Sequence, residues 1–185
     1  MVKGSRGSAT PLYVVTPTEK DIYTAMRAWL LSILPDCMRV IQGQQNRAAA
    51  PLDPFAVMTI IARDRIATNG WSYTDTTRVV EEQVKLTMQV SVFGQASSNQ
   101  MQLITALWRD MEAVDYFRAQ PIPITPLYTS STRQLGFING ERQYEDCWSV
   151  DLTMQVNLTV SVPQQFADSL SVDLIEVDTS YPEQE

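Results

Sequence analysis

Two stretches of the chain alternate apolar and polar side chains with period two. In residues 80–92 the even positions read Val80, Glu82, Val84, Leu86, Met88, Val90 and Val92, with Glu81, Gln83, Lys85, Thr87, Gln89 and Ser91 between them. In residues 148–162 the even positions are Trp148, Val150, Leu152, Met154, Val156, Leu158, Val160 and Val162, again with polar or charged residues between. Successive side chains of a strand point to opposite faces, so each stretch reads as a strand with one apolar face, as found in antiparallel sheets. At ~3.3 Å per residue each would run about 45–50 Å, well past the usual ~5–6 residues. Strands of this length bend at bulges or project beyond the domain as an arm, and the apolar face of an arm needs covering. The run Leu86-Thr87-Met88-Gln89-Val90 recurs as Leu152-Thr153-Met154-Gln155-Val156. Two equivalent, neighbouring sheet positions would explain the repeat; coincidence between strands of like composition is the other reading.

Helical spacing marks two further elements. Thr16 as cap, Pro17 at the first helical position and Glu19 completing a capping box predict a helix start. Ile22, Met26, Trp29, Leu30 and Ile33 then form one apolar stripe, and Pro35 ends the helix near Leu34. A second helix starts at Ser97 or Ser98, buries Met101, Ile104, Leu107, Trp108, Met111, Val114 and Phe117, and stops before Pro121. Residues 38–42 and 55–66 read as strands, and Thr68-Asn69-Gly70 as a turn. Residues 43–54 read as a loop. Residues 121–147, with Pro121, Pro123 and Pro126 and a Gly-Phe-Ile-Asn-Gly turn at 136–140, read as irregular. The expected fold is α+β: an antiparallel sheet with long strands and two helices packed on one face.

Hydrophobic residues make up 44% of the 185 and charged residues 19%, enough for one domain with a core and ordinary for a folded protein. No apolar run approaches the ~20 residues of a membrane span, and no membrane partner is expected. Residues 1–15 are expected to be a flexible segment, residues 16–165 a single α+β domain and residues 166–185 an acidic C-terminal segment. Net charge is −7, unevenly spread. Six of the 21 acidic residues (Asp168, Asp173, Glu176, Asp178, Glu183 and Glu185) fall after residue 162 without a Lys or Arg, leaving 15 acids against all 14 basic residues elsewhere. Nothing here is a basic footprint for nucleic acid; acidic surface near DNA suits a passage and not a binding site.

The chain contains no histidine, which removes the commonest general base and metal ligand and any Ser-His-Asp or Cys-His site within one chain. Cys37 and Cys147 alone cannot form a zinc site and read as two reduced thiols. No glycine loop of a phosphate-binding kind occurs. The acids Glu81-Glu82 and Glu145-Asp146 and the charged run Arg63-Asp64-Arg65 read as solvated strand ends. No catalytic residue, cofactor or metal is expected, and the chain reads as a structural part, not an enzyme. In the loop, Asn46 and Arg47 followed by Pro51 and Pro54 read either as a contact element or as an ordinary connector.

The run Ile41-Gln42-Gly43-Gln44-Gln45-Asn46-Arg47, then Pro51-Leu52-Asp53-Pro54-Phe55, resembles a segment near the N-terminus of the neck or tail-terminator proteins of contractile-tailed bacteriophages. The order around it is similar too: an amphipathic helix before, then a long alternating strand ending in Phe93-Gly94, a Ser/Asn-started helix, Gly136-Phe137 followed by Arg142, and a long last strand. The likeness covers about residues 16–165. It implies a virion protein assembled in the host cytoplasm, forming a homo-oligomeric ring, usually a hexamer, at the head-proximal end of the tail. Such a ring ends tube and sheath polymerisation and joins the tail to the head connector. It implies tube, sheath and connector proteins as partners and DNA as passing cargo. Asn46, Arg47, Pro51, Pro54, Phe55, Phe137 and Arg142 are the candidate intersubunit contacts, with a local tie inside one subunit as the other reading. A collar or head-completion ring, and a tail or baseplate adaptor without terminator activity, are the alternative functions.

Overall fold

The computed structural model describes residues 13–45, 51–138 and 144–164. Its elements in chain order are β1 (Val14–Thr16), α1 (Glu19–Ile33), β2 (Arg39–Gln42), β3 (Phe55–Arg65), β4 (Gly70–Tyr73), β5 (Thr77–Phe93), α2 (Ser97–Trp108), α3 (Met111–Arg118), β6 (Ile124–Thr129), β7 (Arg133–Ile138) and β8 (Tyr144–Pro163). The strands form one eight-stranded sheet, in the order β1-β8-β5-β3-β2, with β4 also beside β5 and β6 and β7 also beside β8. Every pair is antiparallel except β2 with β3, which is parallel and is joined by the long connection at residues 43–54 rather than by a tight turn.

The centre is the β5–β8 pair. It runs without a register shift from Thr77 opposite Pro163 to Phe93 opposite Cys147. Val84, Leu86, Met88, Val90 and Val92 of β5 and Val150, Leu152, Met154 and Val156 of β8 are all buried on one face, as their alternation predicts. The two copies of the repeat are direct neighbours: Thr87 lies opposite Thr153, Leu86 opposite Met154 and Met88 opposite Leu152. In an antiparallel pair this places like side chains about a local two-fold, so the repeat fills one core layer from both strands.

The helices cover this face. Ile22, Met26, Trp29 and Leu30 of α1 and Met101, Ile104 and Trp108 of α2 are buried in one core with the sheet residues. Trp29 and Trp108 meet edge to face, their ring centroids 5.0 Å apart, and Phe117 of α3 packs on both. Each indole N–H finds a partner: Trp29 Nε1 donates to Glu112 Oε2 at 3.2 Å and Trp108 Nε1 to the Thr153 carbonyl at 3.3 Å.

Several expectations are corrected. The first helix is capped by Thr18 and Asp21, not by Thr16 and Glu19: the Thr18 backbone N–H donates to Asp21 Oδ2 and the Asp21 N–H to Thr18 Oγ1. Thr16 instead belongs to the sheet, opposite Thr159, whose hydroxyl donates to the Thr16 carbonyl. The second helix is two. The described residues hold three helices because Arg109 leaves the helical course and Asp110 is extended at φ −100°, ψ 168°. The turn re-phases the apolar stripe, so Met111 is 58% exposed and Ala113 takes its place in the core. Ser97 does not cap α2; it is the first helical residue, after Ala96 at φ 66°. Residues 121–147 are not irregular throughout, since β6 and β7 pair with β8 there; the register shift of β6 lies between Pro126 and Tyr128, where proline cannot donate to the ladder.

A bulge in β3 decides where the core ends. Ile60 lies opposite Met88 and Ala62 opposite Thr87, so Ile61 is the extra residue and the side chains beyond it change faces. Arg63 and Arg65 thereby come to the helix-bearing face, where Arg63 pairs with Glu19 in the first turn of α1 and Arg65 with Glu82. Asp64 points the other way and pairs with Lys85 at 3.1 Å. Beyond these charges β4, β5, β8 and β1 continue as a four-stranded arm.

Candidate intersubunit surface

The segment after β2 is shaped by close backbone approach. The Gly43 N–H donates to the Met58 carbonyl at 2.7 Å, and a Cβ on Gly43 would lie 2.2 Å from Thr59 Oγ1, so only glycine fits there without displacing Thr59. Gln44 follows at φ 58° and turns the chain away from the sheet. Asn46 and Arg47 lie outside the described residues.

The chain returns through Pro51 to Pro54, where Leu52 is fully exposed and Phe55 is buried. The Phe55 ring stacks on Phe93 at 4.7 Å with the planes 10° apart. Pro54 packs on Gly94, whose φ is 98° and whose added Cβ would meet three Pro54 carbons at 3.3 Å. The Gly94 N–H donates to the Asp146 carbonyl at 2.9 Å, and Asp146 lies opposite Gly136 of β7.

Pro54, Gly94, Asp146 and Gly136 therefore form one continuous line across the end of the sheet remote from the arm. Two stretches that the sequence leaves far apart, residues 51–54 and 136–138, are brought to the same end. Phe137 is paired in the backbone with Glu145; Arg142 lies outside the described residues. Phe55 serves the inside of its own subunit, stacked in place, while Pro51 and Pro54 are half-buried.

The sequence reading missed the side chains that this end presents to solvent. Leu52, Leu135, Ile138 and Tyr144 are exposed, the last by 85%. The signal was present as Arg-Gln-Leu-Gly-Phe-Ile, a short alternating run, hidden by its glycine and by the prolines upstream. Adjacent to it, the face of the sheet without helices carries a polar ladder. Ser91 Oγ donates to Ser149 Oγ, Gln89 Nε2 to Asp151 Oδ1, and Arg133 reaches the same carboxylate at 2.8 Å.

Burial, and to a smaller degree the charge of Glu145, push the Cys147 thiol up to about 11, so it stays protonated at neutral pH. Among the described residues no three acids, cysteines or histidines converge as a metal set, and no helix is long and apolar enough to cross a membrane.

The described residues thus form a mixed sheet of long strands with helices on one face and exposed apolar side chains at one end. The sequence matches the phage neck terminator protein family over residues 20–180, and the chain belongs to that family, the structural proteins of the phage tail and neck. The match runs past residue 165, where the resemblance read from the sequence stopped. No curated protein matches the sequence. Among solved structures, the chain is similar to the sheath/tube terminator of an extracellular contractile injection system (PVC) in its extended state, with 14% identity and a TM-score of 0.43. The alignment covers 90% of this chain, which spans 66% of that chain's length.

Proposed function

We propose that the protein forms a closed ring, of six copies, at the head-proximal end of a contractile tail. There it ends polymerisation of tube and sheath and joins the tail to the head connector. The observation that carries this reading is the family match over residues 20–180. Residues 16–165 act as one unit, with residues 1–15 and 166–185 as flanking segments.

Contacts between copies, or with the adjoining rings, are made by the 43–54 loop and the 136–142 turn, and by the end of the sheet where residues 51–54 and 136–138 meet. Leu52, Leu135, Ile138 and Tyr144 supply exposed apolar area there. Asn46, Arg47 and Arg142 add polar reach, and an arginine paired bidentately to a carboxylate of the next copy fixes orientation as well as energy. Pro51 and Pro54 stiffen the loop, lowering the entropy lost on docking. Phe55, stacked on Phe93, holds the end of the loop to the sheet, and Phe137 is a further contact residue. Tube, sheath and connector proteins are the partners, DNA passes through the lumen without specific contact, and assembly takes place in the host cytoplasm.

A reconstruction of the particle neck tests the ring. The expected result is this chain in a closed ring whose lumen admits duplex DNA, with residues 43–54 and 136–142 at a subunit boundary. A monomer, or an isolated decoration on the outside of the neck, contradicts it.

A further inference from the structure

A cleft of about 350 Å³ lies between α1 and the edge of the sheet at β2, with Lys20, Tyr23, Thr24, Arg27, Val40 and Gln42 on its walls. Positions 20, 23, 24 and 27 stand at i, i+3, i+4 and i+7, so these four side chains share one face of α1. A second cleft, bordered by residues 60–63, meets the first at Tyr23 and Gln42. β2 is the last strand on its side of the sheet. The Gly43 N–H points inward to the Met58 carbonyl, and alternation along the strand then turns the backbone groups of Val40 and Gln42 outward, to the cleft.

We propose that this cleft takes an extended, carboxylate-bearing segment of another protein, which lies along the β2 edge with its acids on Lys20 and Arg27. The inference does not depend on the ring reading. Three observations select an acidic peptide. The first is charge. Lys20 and Arg27 make no salt bridge among the described residues. The carboxylates beside them in sequence are engaged elsewhere, Glu19 with Arg63 and Asp21 in the Thr18 cap. The cleft is therefore cationic and its charge is uncompensated, which favours an anionic occupant.

The second is pre-organisation. Arg27 Nε donates to the outward Val40 carbonyl at 3.0 Å, which holds the guanidinium over the strand edge with no acceptor for either Nη among the described residues. Tyr23 is 8% exposed; its hydroxyl accepts from the Ile60 N–H at 2.9 Å, and its own hydrogen has no acceptor among the described residues. The third is the edge itself. The outward N–H and carbonyl of Gln42 offer the start of a ladder to an added strand, a pairing that only a polypeptide can make. Alternate side chains of such a strand stand ~6.6 Å apart on one side, against ~10 Å along the helix from Lys20 to Arg27, a gap that two long flexible side chains close. Duplex nucleic acid has no group for the strand edge, and its phosphates lie on a convex surface that meets only the rim of the cleft.

Fluorescence anisotropy with the full-length chain at low salt tests this. The probe is a labelled octapeptide of alternating Glu and Thr, and the same peptide with Lys for Glu is its control. Lys20→Gln/Arg27→Gln is compared with Arg109→Gln/Arg118→Gln, which removes two charges from exposed positions on the other helices. The expected result is binding of the Glu peptide alone, weakened on the order of tenfold by the first pair of substitutions and unchanged by the second. Amide spectra of the complex should show the Val40 and Gln42 signals shifting with the peptide. No binding of the Glu peptide overturns the proposal, as does equal binding to both double variants. Binding that moves neither Val40 nor Gln42 overturns the strand-edge placement, and a short DNA duplex that competes for the same two cations with equal affinity assigns the cleft to phosphate instead.

Discussion

Trp29 of α1 and Trp108 of α2 stand edge to face at 5.0 Å, and through them the two helices reach the same layer of the sheet. Each indole is wholly or almost wholly buried and hydrogen-bonded, so truncation leaves both a cavity and an unpaired acceptor. Trp29→Ala and Trp108→Ala should each cost about 3–5 kcal/mol. Because the rings touch, the double variant should cost less than the sum, which equilibrium denaturation of the four proteins will measure. A cost below about 1 kcal/mol for either would remove that residue from the core.

Gly94 occupies a position that admits glycine alone without strain. Its φ of 98° is a region that L side chains avoid, and the space where a Cβ would go is filled by Pro54. Gly94→Ala should destabilise the protein by about 1–3 kcal/mol. It should also loosen the 51–54 segment, seen as faster amide exchange at Phe55, whereas Gly136→Ala, with nothing within 4 Å of the added methyl, should leave both unchanged.

The two thiols should differ sharply. Cys37 is exposed, whereas Cys147 is buried and its ionisation is pushed up to about 11. At pH 8 a thiol reagent should titrate one cysteine in the folded protein and both in denaturant. Rapid reaction of both without denaturant would contradict the burial of β8 at this end.

Asp21 links the α1 cap to pH. The hydrogen bonds from Thr18 hold its carboxyl below the usual value, so the folded state favours the ionised form. The contribution is therefore present above the unfolded carboxyl pKa and is lost as pH falls through the folded one. Thr18→Ala should lower thermal stability at pH 7 and lower it less in acid, as paired melting curves across pH 2–7 will show.

The long strands were legible because period-two alternation has a single structural solution when one face is buried; the Leu-Thr-Met repeat left neighbouring positions and coincidence both open, and it is the ladder of the structure that sets β5 beside β8. The break between α2 and α3 was not, since Met111 and Val114 continue the apolar spacing of Met101, Ile104 and Trp108 in the sequence, while the extended Asp110 shifts the buried positions to Ala113 and Phe117. β1 and β4 are three and four residues long, too short for periodicity to register. β6 was masked by Pro126, which proves tolerable beside the register shift. Of the candidate contact residues, Pro54 and Phe55 were chosen for a spacing that the structure uses internally, against Gly94 and Phe93. The exposed Leu52, Leu135, Ile138 and Tyr144 went unnoticed because exposure is a property of the assembled sheet and not of a local pattern.

The central claim is that this chain ends the tail and joins it to the head, and loss of its gene tests that most directly. Particles made without the protein should be filled heads and separate tails of uncontrolled length, as electron micrographs of the lysate will record. Unjoined tails of normal length would move the assignment to a collar ring. Tails of normal length fully joined to heads, in the absence of the protein, would contradict the account.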